Sequence, residues 1–346
     1  MHGFVLDPKA LGDPAALIGV ALAEEARIDG RRAFAKGHLL TADDVAALSR
    51  LDAPVHAVRL DPGDVHEDEA GRQLARVVAG RGMEIRGPAQ SRYNLVATGK
   101  GLLRIDADRL RALNLLPGIA VYTLPDRMVT LPGKVLAGVK VTPIAVPAST
   151  LDAAREIVAD GGPIVEVQPF LPRVVGVVTT EAMKPGVRER FRAIVQRKIA
   201  WFGGSVLRFE EPAADPDAVA AAISALVADG ADVVLAAGGN TIDPLDPTLL
   251  ALPAVGGELL RLGAPAHPGS MFWIAEAGET PVINLASCSL YSQATTADLI
   301  LPWVMAGERV TRETLADLGH GGLLEKDMGW RFPPYDEDVE PGTGAG

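Results

Sequence analysis

A single cysteine, Cys288, stands in 346 residues. That excludes an intramolecular disulfide framework and a cysteine-based zinc site. Aromatic side chains are only 5% of the chain, so stacking platforms for single-stranded nucleic acid are not favoured. Positive charge is short as well. Thirty-three Lys and Arg against 44 Asp and Glu leave a formal net charge of −11, which argues against a nucleic-acid binder working by broad phosphate neutralisation. An anionic small ligand stays compatible with this balance if local donors, such as backbone N–H groups at helix starts, hold it. Apolar runs are short and broken by Gly, Pro or charge, so no membrane span is expected. The N-terminus, MHGFVLDPKALGDP, has no basic start ahead of an apolar core; no secretory signal is expected, and the cytoplasm is the expected compartment. The six histidines (His2, His38, His56, His66, His267, His320) form no H-x-x-x-H or H-E-x-x-H pattern, so a zinc site is not expected. P-loop, Rossmann and nucleophile-elbow patterns are missing too.

What is present is a chain rich enough in apolar residues, at 48%, to build real cores, with 37 Gly and 26 Pro implying many turns. The length suggests two or three domains. Residues 1–171 read as a β-rich accessory region with two or three helices. LTADDVAALSRL (40–51) predicts a helix capped by Thr41, with Val45, Leu48 and Leu51 on one face. VHAVRL (55–60) alternates as a strand, and EDEAGRQLARVVAG (67–80) predicts a helix with acids at its start and Gly80 as its stop. Short strand-like pieces then recur between turns up to Pro147, a spacing that suits a small barrel or packed sheets.

From 172 the pattern changes. RVVGVVTT (173–180) is a valine run of the kind found in buried parallel strands. The helix VRERFRAIVQRKIAWF, the strand SVLRFE, the helix DPDAVAAAISALVADG capped by Asp215, and the strand DVVLAA follow in order. This alternation predicts right-handed crossovers onto one mostly parallel sheet. MFWIAEA and PVINLA predict a hairpin over AGET, and a helix is expected over roughly 289–306. The extreme C-terminus, PPYDEDVEPGTGAG, reads as a disordered or surface-wrapped tail. The predicted domains are thus 1–171, an α/β domain at 172–312, and a C-terminal extension at 313–346.

Ligands of open α/β sheets bind beyond the carboxyl ends of the strands. Three segments fall there: TTEAMKPG, GGNTIDPLDPT and NLASCSLYSQ. In the second, Gly238 and Gly239 allow close backbone approach, Asn240 and Thr241 offer short polar contacts, and Asp243 and Asp246 each stand beside a proline. The following LLAL could open a helix facing an anion. The same residues would equally serve an Asx-turn and a helix cap.

The run ADVVLAAGGNTIDPLDPT resembles the loop of the molybdopterin-binding domain found in molybdopterin adenylyltransferases, gephyrin-type molybdopterin molybdotransferases and competence-damage-inducible proteins. With the two glycines matched to Gly238 and Gly239, the acid of that loop falls on Asp246. VVGVVTTE sets Thr179 and Thr180 in register with the Thr-Thr-Gly of those families, and AADPDAV matches Asp215 to the second acid of their acidic pair. KGHLLTADDVAALSRL, TLPDRMVTLPGKVLAGVKVTPIAVP and LGHGGLLEKD resemble bacterial molybdopterin-binding proteins, some of which carry an extra nucleotidyl- or glycosyltransferase-like domain not seen in this sequence. The resemblance spans roughly residues 30–325. Against those families, Glu181 replaces the glycine after Thr-Thr, HPGSM places Ser270 where a lysine is expected, and LASCS loses a Pro-Gly turn. Binding is therefore better supported than catalysis.

The resemblance implies a three-layer α/β/α molybdopterin-binding domain behind the β-rich region. It implies binding of molybdopterin, or a nucleotide- or molybdate-bearing derivative, in molybdenum cofactor biosynthesis. Thr179, Thr180, Gly238, Gly239, Asn240, Thr241, Asp215, Pro268, Gly269, Ser270, Ser287, Cys288 and Ser289 are the binding candidates it implies. Asp246 and Asp243 are the catalytic candidates, with Asp246 also the candidate ligand of a metal such as Mg2+. Read from the residues alone, HPGSM and LASCS are either two walls of an anion pocket or ordinary strand-end turns. Cys288 is either a reactive thiol at a helix start or a small buried hydrophobe. If there is turnover, it is metal insertion or nucleotidyl transfer by a transferase-like enzyme. The alternatives are a carrier that delivers the cofactor to a nucleotidyltransferase or an apo-molybdoenzyme, and a competence-damage-like nucleotide pyrophosphatase. Relatives of this fold are oligomeric, and a homodimer is expected.

Overall fold

The computed structural model describes residues 1–89, 91–159, 161–237, 243–285 and 295–336. The chain divides into two compact units. The first holds residues 1–99, 103–126 and 132–167, and the second holds 100–102, 127–131 and 168–346. Two short pieces from inside the N-terminal stretch thus count with the second unit.

In the first unit β1 (His2–Leu6), β2 (Ala21–Leu22), β3 (Ala26–Ile28), β4 (Arg31–Phe34), α1 (Ala42–Val45) and β5 (Val55–Arg59) come first. The order β1-β5-β2 makes a small antiparallel sheet over a core of Leu6, Leu22, Leu40 and Leu48. Along the chain then come β6 (Asp64–His66), α2 (Glu67–Val78), β7 (Met83–Ala89), β8 (Arg92–Ala97), β9 (Gly101–Ile105), α3 (Ala107–Asn114), β10 (Ile119–Thr123), β11 (Val129–Thr130), β12 (Val135–Val141), β13 (Ala145–Pro147), α4 (Ala148–Ala159) and β14 (Val165–Pro169), of which β11, the start of β9 and the end of β14 count with the second unit. The sheet β10-β12-β8-β7 is antiparallel. Helix α2 buries Ala70, Leu74, Ala75 and Val78, the i, i+4 stripe that an amphipathic helix turns inward.

The helix expected over 40–51 is shorter than its pattern. Only Ala42–Val45 is α-helical, and Leu48–Arg50 forms a separate 3-10 turn. Asp44 explains the tight start. Its carboxylate receives the Thr41 N–H at 2.8 Å, the Thr41 hydroxyl at 2.7 Å and His38 Nε2 at 2.8 Å. These bonds, the Thr41 N–H first, hold the Asp44 carboxyl down at about 2.

The second unit is α/β. Its elements are β15 (Val174–Thr179), α5 (Pro185–Trp201), β16 (Ser205–Glu210), α6 (Pro216–Ala228), β17 (Val233–Ala237), α7 (Pro247–Leu250), β18 (Gly257–Leu262), β19 (Trp273–Ala277), β20 (Thr280–Leu285), α8 (Thr296–Met305) and α9 (Arg312–Asp317). The sheet order is β16-β15-β17-β20-β19-β18. The first four strands are parallel, and β19 pairs antiparallel with both β20 and β18. Both faces are covered. Phe191, Val195 and Ile199 of α5 and the apolar residues of α8 share one core with Val175, Val177 and Leu235. Val219, Ile223 and Leu226 of α6 form the other core with Val178, Val234 and Trp273. A sheet buried on both faces accounts for the valine runs of β15 and β17.

The strand β18 is not among the elements expected from the sequence, where LLAL reads only as the opening of a helix. Pro253 and the left-handed Gly256 (φ 64°) end the helical part there and release a strand. Of the C-terminal stretch, Leu315, Leu318, Leu324, Phe332 and Tyr335 belong to the core around α8; residues 337–346 lie outside the described ones.

Candidate functional site

The register of the parallel strands sets the geometry of the candidate edge. Thr179 faces Ala237 across β15 and β17, and Ala237 faces Leu285 across β17 and β20. With strands about 4.8 Å apart, β15, β17 and β20 end side by side at Thr179, Ala237 and Leu285. Thr179 is buried, and its hydroxyl accepts the Glu181 N–H at 3.3 Å. Thr180 and Glu181 are half-buried. Gly238, Gly239, Asn240 and Thr241 lie outside the described residues, as do Ser287, Cys288 and Ser289.

Asp243 and Asp246 are described, and both act on the local backbone. Asp243 is exposed and accepts the Leu245 N–H at 2.9 Å, an Asx-turn. Asp246 is 3% exposed and caps α7. One of its oxygens accepts both the N–H of Thr248, at 2.8 Å, and its hydroxyl, at 2.5 Å. The four-residue α7 therefore spends its leading donor on Asp246, and the anion site expected at its start is not free. Asp215 caps α6 through the Ala218 N–H at 3.0 Å. It is exposed at the end of the sheet where β16 finishes.

The Pro268–Gly269–Ser270 turn is clamped from two sides. On one side lies the start of α8: the Thr296 N–H donates to Pro268 O at 3.1 Å, and its hydroxyl lies 3.3 Å from both Ala266 O and Pro268 O. Gly269 has φ 103°, and a Cβ there would sit 2.7 Å from the Thr296 nitrogen. On the other side lies the Gly321–Gly322 turn. His267 N–H donates to Gly322 O, and Leu324 N–H donates to His267 O, both at 2.8 Å. A Cβ on Gly322 would come 2.2 Å from Pro265 O. Only glycine fits that approach. Sequence reasoning assigned these two glycines no role; two adjacent glycines before an apolar pair were the available signal. Pro268 is half-buried, Gly269 buried and Ser270 exposed.

The start of α8 is fixed in turn by a buried charge pair that sequence reasoning also missed. Asp298 is 1% exposed. Lys198 of α5 reaches its Oδ1 at 2.6 Å, and the Thr295 hydroxyl donates to its Oδ2 at 2.9 Å. The Tyr335 ring lies 5.1 Å from the Lys198 ammonium. Burial pushes the Asp298 carboxyl up, against the pull of Lys198. Burial also pushes the Tyr335 hydroxyl well up, and the nearby Asp298 adds to it. The signal was an Asp three residues after Thr295 at a helix start, the capping-box spacing.

Arg188 and Arg192, basic residues on α5 near the edge, are tied to Glu211 at 3.0 and 2.8 Å. Asn284, buried on β20 one residue short of the edge, donates to Ala236 O at 3.4 Å. Among the described residues no group of three or more His, Cys, Asp or Glu side chains is placed to hold a metal ion.

No protein-family model matches the chain, and no curated protein matches it. Solved structures do. One is described as the molybdopterin biosynthesis moea protein from Pyrococcus horikosii, with 15% identity, covering 70% of this chain and 79% of that one at a TM-score of 0.31. A second is the molybdopterin biosynthesis enzyme MoaB from Thermus theromophilus, with 16% identity, 39% of this chain, 98% of that one and a TM-score of 0.29. A third is the protein CinA, with unknown function, from Thermoplasma acidophilum, with 16% identity, 34% of this chain, 89% of that one and a TM-score of 0.28. No described helix is long and apolar enough to cross a membrane.

Proposed function

We propose that the second unit binds molybdopterin, or a nucleotide- or molybdate-bearing derivative of it, at the carboxyl edge of its parallel strands, in molybdenum cofactor biosynthesis. The observation that carries the reading is the row Thr179–Ala237–Leu285. It supports the reading because the three strands that precede the singled-out segments end at one edge. Thr179, Thr180, Gly238, Gly239, Asn240 and Thr241 would bind the phosphate end of the ligand through hydroxyls and main-chain N–H groups. The Pro268–Ser270 turn and the segment with Ser287, Cys288 and Ser289 would supply the facing wall. Hydroxyls and amides suit an oxyanion without a cluster of bases, which fits a chain of net charge −11. Asp246 and Asp243 would face the reacting end. One Asp246 oxygen is held by Thr248, and the dependence of any turnover on Mg2+ is a matter for assay. The protein would work in the cytoplasm as a homodimer, handing its ligand to a nucleotidyltransferase or an apo-molybdoenzyme.

Mass spectrometry of the small molecules released from the natively purified protein tests the reading. A pterin dithiolene or its oxidised product is expected. Its absence from protein made in a cofactor-producing host, together with no binding of added molybdopterin, would overturn the proposal. Turnover with molybdopterin, molybdate, ATP and Mg2+ then separates a transferase from a carrier.

A further inference from the structure

At the opposite edge of the same sheet lies a cavity of about 370 Å³. Arg173 stands just before β15, so the cavity is about 20 Å from Thr179, six residues along an extended strand. Five charged residues line it: Arg173, Glu276, Glu279, Glu308 and Arg309. Most of this charge is satisfied within the fold. Arg309 holds Glu276 through two bonds, at 3.1 and 2.9 Å. Glu308 takes Arg127 Nε at 3.2 Å, and the Arg127 guanidinium lies 5.0 Å from the Trp303 ring centroid.

Arg173 and Glu279 are left over. Among the described residues, no carboxylate pairs with the Arg173 guanidinium, and its Nε is buried without a hydrogen-bond partner. Gly307 lies against it, with φ 82° and a would-be Cβ 3.4 Å from Nη2. A half-buried guanidinium with an orphaned donor is costly unless something pairs with it. In a chain with 44 acids, none of the described ones does so. Glu279, at the tip of the β19–β20 hairpin, is exposed and makes no ion pair among the described residues. The lining also has an apolar part, in which Leu260 and Pro281 are half-buried.

We infer that this cavity binds a small zwitterion of the α-amino-acid class. Its carboxylate would pair with Arg173, its ammonium would face Glu279, and its side chain would lie against the apolar lining at Leu260 and Pro281. The guanidinium fork matches a carboxylate in two parallel bonds. Three glutamates around the same space oppose a phosphate dianion, and the unpaired Arg173 opposes a simple amine. The volume falls at the small end of the range for small-molecule pockets. The site lies away from the candidate pterin edge, so either reading can fail without the other.

Isothermal titration of the full-length protein with each of the twenty L-amino acids tests this, with acetate, methylamine and inorganic phosphate as controls. At least one amino acid is expected to bind saturably, and acetate and methylamine about tenfold or more weaker, since each lacks one charge contact. Arg173→Gln should weaken binding by about tenfold or more, Arg173→Lys less, and Glu279→Gln a few-fold. Because Arg173 pairs with no described residue, its variants should melt like the parent without ligand, which separates lost binding from lost folding. No saturable heat from any amino acid up to about 10 mM, binding unchanged in Arg173→Gln, or phosphate binding as tightly as the best amino acid would overturn the proposal.

Discussion

Replacing Lys198 by Met leaves Asp298 buried at 1% exposure with its cation gone. Breaking a buried pair from one side costs about 3–5 kcal/mol, because the remaining ion is uncompensated. The carboxyl can escape part of this by taking up a proton, and that makes the cost depend on pH. Burial already raises Asp298 above its ordinary value, and Lys198 opposes the rise. The folded protein therefore keeps a proton that the unfolded chain has released, and stability falls as pH rises from the unfolded value to the folded one. Removing Lys198 removes the opposing pull and extends that window upward. Within it, the variant should lose about 1.4 kcal/mol for each added pH unit. At pH 8 the full loss of about 3–5 kcal/mol is expected, or about 6–20 °C in melting temperature for a unit of this size. At pH 5 much of it should be recovered. Urea unfolding followed by tryptophan fluorescence is the assay. All four tryptophans (Trp201, Trp273, Trp303 and Trp330) lie in the second unit, so the signal reports on it. A loss below about 1 kcal/mol at pH 8, or equal losses at both pH values, would refute the account of Asp298 as a buried, cation-dependent carboxylate.

The glycines of the clamped turn give a second prediction. Gly269→Ala and Gly322→Ala should each cost about 1–3 kcal/mol, with Gly322 the worse because its Cβ would meet backbone at 2.2 Å, against 2.7 Å at Gly269; differential scanning calorimetry reads both, and unchanged melting would remove the steric argument. Asp246→Asn keeps an oxygen to cap α7 and should melt like the parent while abolishing the turnover that the transferase reading predicts, whereas Asp246→Ala should lose about 0.5–2 kcal/mol; a fully active Asn variant would take Asp246 out of the proposed site. In the first unit, Asp44→Asn should cost about 1 kcal/mol near neutral pH. The Asp44 carboxyl is held down at about 2, so its contribution is present above the ordinary carboxylate range and is lost as pH falls through about 2. Parent and variant, compared by circular dichroism in urea, should converge there; a constant difference would contradict the hydrogen-bond account.

The parallel sheet was legible because its signals are local. Valine runs mark β15 and β17, and Asp215–Pro216 and Gly230 bracket α6. The hairpin β19–β20 followed from two apolar runs around a short turn. The short α1 was less legible, since the Asp44 contacts that tighten its start include His38, which lies outside the amphipathic pattern. For the candidate site, strand order was legible and the contacts around it were not. Segment positions follow from strand order, but the clamp on Pro268–Gly269 depends on Gly322 and Thr296, brought in from distant stretches. Likewise, nothing in the local sequence sets Lys198 apart from the other bases of α5; its carboxylate partner comes from α8.

The division of the chain has a practical consequence for anyone seeking the α/β half alone. Leu102 and Val129 sit in its main core, though both precede Gln168 by many residues. A polypeptide begun at Gln168 would carry the whole six-stranded sheet yet leave two holes in its packing. On the ribosome, likewise, those two plugs emerge long before the half they belong to has been made, and must wait for it.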